Sequence, residues 1–409
     1  MGRRRAKRVP WYRWVLATLL KVDLPMLVLT LVLMTTGFLF VFGVSHEVGG
    51  RFANQWRSHI MWMVLGSMAG VGVALIDYRW LARYSWVVYL GGLGLLLLVF
   101  TPMGVTLNTA RSWIRLGGRQ LQPAELAKPA VLLFTAWIAA GPLVKDSRLP
   151  PFIPVFIAIA PAVGLVLMQP DYGTAMVFFP FALAIAFAAG LRWRWLVLGV
   201  TILLVAVPLT YRRLKPYQKD RLKVFMDQPV RAGVAAVSPL VPEQTQVRLT
   251  EASDKFLERS KDAIHTDWNA HQSLLAVGSG GWFGKGYMKG TQHVLGFLPQ
   301  TVASSDFVFS VIAEETGFVG TATIVCVFIA LILCCLRTAL LAKDALGRYI
   351  GVGAALIIFT HVFINVGMTI QAAPIIGIPL PFISHGGSFM IGTLVLMGLV
   401  QSVHIRTRE

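Results

Sequence analysis

Residues Gly317–Leu336 read GFVGTATIVCVFIALILCCL, with no charged side chain among them. A helix needs ~20 apolar residues to cross the hydrocarbon core of a bilayer, and this stretch is that long. Blocks of the same kind recur on either side of it. Upstream they fall at Met26–Gly43, Ile60–Ile76, Trp86–Pro102, Pro123–Ala140, Phe152–Met168, Thr174–Gly190 and Trp195–Leu209; downstream, at Tyr349–Ile370 and Phe389–Val403. The composition agrees: 56% of the 409 residues are hydrophobic, 14% are charged, and the mean hydropathy is +0.67. A soluble domain of this length carries more charge. The expected fold class is all-α, a polytopic membrane protein with about ten transmembrane helices.

The net charge of +18 suggests nucleic acid until its distribution is considered. An even number of spans puts both termini on one side. The N-terminal segment through Asp23 is crowded with Lys and Arg, and Arg79, Arg83, Lys145, Arg148, Arg192, Arg194, Arg337, Lys343, Arg348, Arg406 and Arg408 fall on the same side. The short loops opposite hold only Arg51, Arg57, Arg111, Arg115 and Arg119. Basic residues gather on cytoplasmic loops, so both termini are expected in the cytoplasm and no nucleic-acid partner is implied. The first apolar run lacks a small-residue cleavage site and is expected to be a retained span. Cys326, Cys334 and Cys335 share one span and form neither a disulfide framework nor a metal pattern, which suits packing.

The chain reads as one membrane domain over 1–409, interrupted by a large extracytoplasmic loop at 211–305 between spans seven and eight. Within that loop, 230–266 is an insertion without a clean period. No internal repeat is visible, so the paired halves of many transporters are not evident.

Ionisable groups at membrane depth invite functional readings. Glu125 and Lys128, in Gln122-Pro123-Ala124-Glu125-Leu126-Ala127-Lys128, share a helix face at i,i+3. They suit either an intrahelical ion pair or a substrate site. Arg111, in Arg111-Ser112-Trp113 of a connecting loop, is an interfacial anchor or a phosphate ligand. Asp171, in the short Gln169–Thr174 turn, suits a helix cap better than catalysis. The segment Gly278–Gly286 resembles a phosphate loop but has Ser279 and Gly286 where that motif needs Gly and Ser/Thr, so a nucleotide site is not expected. A flexible turn, or a diphosphate contact through Lys285 and backbone N–H groups, remains open. Asp306 stands where a polar loop becomes an apolar helix; a cap is the simple explanation and a base the sharper one. Glu314 and Glu315 follow inside that helix, and at least one should face protein. The segment Gln371–Ser388, dense in Pro and Gly, is expected to line a cavity, because irregular backbone at that depth must be buried in protein.

In chain order, Asn108–Ile114, Gln122–Lys128, Gln169–Thr174, Gln272–Gln292, Leu298–Gly317 and Asn365–Ser388 resemble the motifs of the SEDS family (shape, elongation, division and sporulation), the RodA/FtsW glycosyltransferases. Gly284-Lys285-Gly286, Gly290-Thr291-Gln292 and Asn365–Met368 lean towards the RodA, elongation branch rather than the division branch.

The resemblance implies a peptidoglycan glycosyltransferase that polymerises lipid II in the bacterial cytoplasmic (inner) membrane. It implies Asp306 as general base and undecaprenyl diphosphate as leaving group. Arg111, Glu125, Lys128, Lys285, Ser384 and Ser388 would then surround substrate, with Asp171, Glu314 and Glu315 in support. A divalent cation, Mg or Mn, would assist, though no ligand cluster is visible in the sequence. The implied partners are a class B penicillin-binding protein, which is a transpeptidase, and other elongation or division machinery. The pattern departs from the family in the six residues Gln300–Ser305 before Asp306, in His385 where tyrosine is usual, and in the long 230–266 stretch. A lipid-linked precursor flippase and a non-catalytic cell-wall scaffold are the competing readings.

Overall fold

The computed structural model describes residues 20–48, 53–107, 110–116, 119–145, 150–195, 241–257, 264–298 and 300–407, with scattered positions between 197 and 238. The principal helices are α1 (Leu24–Val48), α2 (Gln55–Leu75), α3 (Tyr78–Arg83), α4 (Ser85–Leu98), α5 (Pro123–Ala140), α6 (Phe152–Met168), α7 (Tyr172–Ala188), α8 (Glu243–Leu257), α9 (Ile264–Ser279), α10 (Val308–Leu341), α11 (Ala345–Thr369) and α12 (Gly387–Thr407). Among the described residues α1, α2, α10, α11 and α12 are long and apolar enough to cross a bilayer, and α4, α6 and α7 are shorter apolar helices. The expected span Trp195–Leu209 lies almost wholly outside the described residues. Most of the 230–266 insertion is described, including α8 and the start of α9, while 231–232, 239–240 and 258–263 lie outside the described residues.

Burial sorts these helices. In its most apolar window α12 is 89% buried, whereas α2 is only 17% buried. α11 packs against α5, α7, α10 and α12, so α11 and α12 form the centre of the bundle. The perimeter leaves Val64, Met68, Leu333, Leu340 and Phe363 exposed, as lipid-facing side chains are.

Polar side chains tie the helix ends at one end of the bundle. Arg406 on α12, only 5% exposed, donates to the carbonyls of Ala74 (2.7 Å) and Leu75 (2.6 Å). These are among the last α2 carbonyls, which have no partner within their own helix. The buried Asp23 accepts from Arg337 Nη2 at 2.6 Å, and its backbone exchanges two bonds with the Gln401 amide. Asp344 caps α11 through the Gly347 N–H and also accepts from Tyr78 and Arg79. Burial alone would raise the Asp344 carboxyl, but these donors outweigh it and hold it below the usual carboxylate range.

The all-α reading omits one element. Residues 104–121 form a three-stranded antiparallel sheet, β1 (Gly104–Leu107), β2 (Ala110–Leu116) and β3 (Arg119–Leu121). Gly104 pairs with Ile114, and Ile114 with Leu121. Arg111-Ser112-Trp113, expected in a connecting loop, is the middle strand. The alternation of a strand buries Ser112 and Ile114 and turns Arg111 and Arg115 outward.

Candidate active site

Asp306 lies in the tight turn ahead of α10. The N-cap position of that helix is Phe307, so Asp306 precedes it by one residue. The unusual segment before it folds as a single helical turn, Gln300–Ala303, closed by the Phe307 N–H on the Val302 carbonyl at 2.9 Å. The Pro/Gly-rich segment after α11 then stitches onto this turn. Ser384 Oγ donates to the Ser305 carbonyl at 2.6 Å and accepts from the Leu380 N–H at 2.7 Å. The His385 N–H reaches the Ser304 carbonyl at 2.8 Å. From α11, Asn365 Nδ2 donates to the carbonyls of Asp306 (2.9 Å) and Ile378 (2.8 Å). The Asp306 carboxylate rests beside Gly377, whose φ of +75° belongs to the left-handed region. Ser304 Oγ donates to Gln55 Oε1 at 3.1 Å, which brings in the start of α2.

The second group is on α5. Pro123 opens the helix, where its missing N–H costs nothing, and the i,i+3 spacing sets Glu125 and Lys128 side by side. Lys128 Nζ lies 2.8 and 2.9 Å from the two Glu125 oxygens and 2.9 Å from His361 Nε2 of α11. Both members of the pair are about 4% exposed, and they line a cavity walled by Ile357, Pro381, Phe389 and Leu396. An ammonium has three N–H donors, and here each has an acceptor. Lys128 can hold a diphosphate only by exchanging one of these partners. His361 was not singled out from the sequence, because one histidine in an apolar helix reads as a core residue.

The glycine-rich segment does something other than cradle phosphate. α10 is broken at Gly317, where φ is 67° and ψ is −165°, so carbonyls before the break and N–H groups after it lose their helical partners. The glycine loop supplies them. The N–H groups of Lys285 and Gly286 donate to the carbonyls of Glu314 (3.0 Å) and Glu315 (2.9 Å), while those of Phe318 and Val319 donate to the carbonyls of Gly281 (2.8 Å) and Trp282 (3.1 Å). Side chains complete the dock. Glu314, 1% exposed, accepts from Lys285 Nζ at 2.5 Å and from the Thr291 hydroxyl and N–H at 2.8 and 2.7 Å. Glu315 is also buried and accepts from the Met288 N–H at 3.1 Å. The backbone donors expected for a diphosphate at 285 and 286 are thus occupied by α10, and the Lys285 ammonium is held by Glu314.

The remaining residues position these groups. Asp171 is the N-cap of α7, accepting from the Thr174 N–H at 3.0 Å, and it also accepts from Gln122 Nε2 at 2.7 Å. The Gln122 N–H donates to Ser388 Oγ at 2.7 Å. Ser384 and Ser388 are both buried, and each hydroxyl has a backbone partner, so they brace loops rather than present a free ligand. Arg111 is exposed on β2, with Nη2 on the Thr101 carbonyl at 2.7 Å, and is not among the residues lining the Glu125–Lys128 cavity. His385 has its ring 5.7 Å from that of His59, and burial lowers its pKa to about 4. Among the described residues no three His, Cys, Asp or Glu side chains gather as a metal donor set, so no step is assigned to a cation.

The chain is similar to known proteins over nearly its whole length. The family model FtsW/RodA/SpoVE, described as a cell cycle protein, matches residues 24–238 and 232–409. The peptidoglycan glycosyltransferase RodA of Treponema pallidum is 30% identical over 93% of this chain and 97% of its own. A probable peptidoglycan glycosyltransferase FtsW of Geobacter metallireducens is 31% identical over 95% and 96%. A solved structure showing how a peptidoglycan synthase complex coordinates polymerization and crosslinking contains a chain that superposes with a TM-score of 0.73. That chain is 26% identical, and the match covers 95% of this chain and 99% of that one.

Proposed function

Because the chain belongs to the FtsW/RodA/SpoVE family and is a peptidoglycan glycosyltransferase, we propose that it polymerises lipid II with the Asp306 carboxylate as general base. The supporting observation is the setting of Asp306, in a turn braced by Ser384 from one side and Asn365 from the other. A base that must meet a hydroxyl at hydrogen-bond distance benefits from such a rigid seat.

In the proposed reaction Asp306 takes the proton from the 4-hydroxyl of the acceptor sugar. The oxygen attacks the anomeric carbon of the donor as the bond to undecaprenyl diphosphate breaks, with inversion at that carbon. The departing diphosphate needs positive charge near it. Lys128 is the cation of the bundle centre; the cavity it lines is water-sized, so its walls would have to open, and Glu125 and His361 to yield part of its coordination, as the diphosphate arrives. Arg111, exposed on the sheet, would act earlier, in capturing the headgroup. Lys285 serves the glycine-loop dock in this reading.

The protein is multi-pass in a membrane; we place it in the bacterial cytoplasmic membrane, with both termini inside and the Asp306 end outside. Its partner would be a class B penicillin-binding protein that cross-links the new strand, in the elongation machinery. The test uses purified full chain in detergent with lipid II, that partner and Mg or Mn. Wild type should give glycan polymer and Asp306→Ala none. Polymer from the variant at the wild-type rate would refute the role of Asp306. Lipid transport in vesicles without polymer in detergent would instead support a flippase.

A further inference from the structure

His361 and Asn365 stand one turn apart on α11 and reach two consecutive carbonyls of the Pro/Gly-rich segment. His361 Nδ1 lies 3.2 Å from the Pro379 carbonyl, and Asn365 Nδ2 lies 2.8 Å from the Ile378 carbonyl. Each side chain also faces the other way. His361 Nε2 meets Lys128 Nζ at 2.9 Å, and Asn365 Nδ2 meets the Asp306 carbonyl at 2.9 Å. The tautomer follows from these contacts. An ammonium only donates, so Nε2 is the acceptor and carries the lone pair. The ring proton then sits on Nδ1, where the Pro379 carbonyl accepts it.

We propose that His361 is a positioning residue for glycan transfer, acting with Asn365 as a two-point clip that fixes the Asp306 turn and the Glu125–Lys128 pair in one frame. The proposal rests on the role given above to Asp306. The bonds run without a gap from Glu125 through Lys128, His361, the 378–379 backbone and Asn365 to Asp306. Both N–H groups of the Asn365 amide have acceptors, as do all three of Lys128, so neither end can turn away without losing a buried bond. Pro379 adds stiffness, since its ring fixes φ beside the two clipped carbonyls. The proton-accepting carboxylate sits in the turn ahead of α10 and the diphosphate cation on α5, and a shift of about 1 Å between such groups can cost a hundredfold in rate.

Two substitutions separate the arms. His361→Asn keeps a donor near the Nδ1 position and loses the acceptor for Lys128. His361→Gln keeps an acceptor near the Nε2 position and loses the donor to Pro379. In the detergent assay with full chain, partner and lipid II, each should lower kcat per folded molecule by about tenfold or more and leave KM within about twofold. His361→Gln combined with Asn365→Ala should cost less than the product of the two single effects, because both loosen the same carbonyl pair. Wild-type kcat in both single variants overturns the proposal. So does a loss confined to the yield of folded protein, which would mark His361 as packing alone. A second measurement needs no activity. Nitrogen-15 NMR of histidine-labelled wild type, with His361 assigned by its absence from the His361→Asn spectrum, should show a neutral Nδ1–H ring. An Nε2–H ring would also overturn the clip. Full activity of Asp306→Ala would defeat the catalytic reading while the NMR result still decided the tautomer.

Discussion

A β-carbon built on Gly377 would stand 3.3 Å from Oδ2 of Asp306. The carboxylate therefore packs on bare backbone, and the residue opposite it has no side chain to offer. The φ of +75° at Gly377 independently excludes most other residues.

Gly377→Ala is accordingly predicted to act twice. Left-handed backbone strains an alanine by about 1–2 kcal/mol, and the new methyl crowds Oδ2. Polymerisation should fall by about tenfold with the protein still folded, since a base displaced by a fraction of an ångström loses alignment. Wild-type turnover of lipid II by this variant would show that the contact is incidental.

Glu314→Gln should loosen the glycine loop. The amide turns one acceptor into a donor against the Thr291 N–H and removes the charge that holds Lys285. Lys285 keeps some exposure, so the loss is that of charge-assisted hydrogen bonds, about 1–3 kcal/mol. The expected results are a lower unfolding temperature in detergent and new protease cleavage near Lys285. Unchanged protection would contradict the dock.

His385 supplies a pH dependence. Burial lowers its pKa from 6.5 to about 4 in the folded chain, so between these values the unfolded chain binds the extra proton. Stability then falls as pH drops from about 6.5 towards 4 and levels off below, because the folded state also protonates there. His385→Tyr, which has no group titrating in that window, should lose less over the same range. Parallel unfolding curves for the two proteins would rule out a buried neutral ring.

Arg406→Lys tests the joint between α2 and α12. A guanidinium forks onto the Ala74 and Leu75 carbonyls, whereas an ammonium cannot match both positions. A loss of about 1–2 kcal/mol is expected in thermal or denaturant unfolding.

The spans were the most legible part of the sequence, because proline and polar turns punctuate them. Pro123–Ala140 and Phe152–Met168 are helices at the expected residues. At α10 the uncharged block starts at Gly317, but the loop-to-helix junction at Asp306 already put Glu314 and Glu315 inside the helix; it starts at Val308, and the break at Gly317 is the part the pattern does not show. The strands β1 and β3 are too short to show a period, and β2 buries Ser112 while leaving Trp113 half-buried, so no apolar alternation marks it in the sequence. Arg406 counted only as cytoplasmic charge, yet it caps another helix. At the site, residue type pointed to Asp306, Glu125 and Lys128. The i,i+3 pairing of Glu125 with Lys128 was legible too, and Gly377 falls in the segment expected to line the cavity; His361 beside Lys128 and Gln55 beside Ser304 come from distant segments and carry no local pattern.

The glycine loop also bears on how the chain is assembled. Residues 280–286 leave the ribosome before the α10 break they complete. The polar groups exposed at Glu314–Val319 meet a partner already made, on their own chain, and need not wait in lipid for a later helix. Chains cut between the loop and α10 and expressed as two pieces would lose that order of events, and the second piece would insert with its backbone open at Gly317.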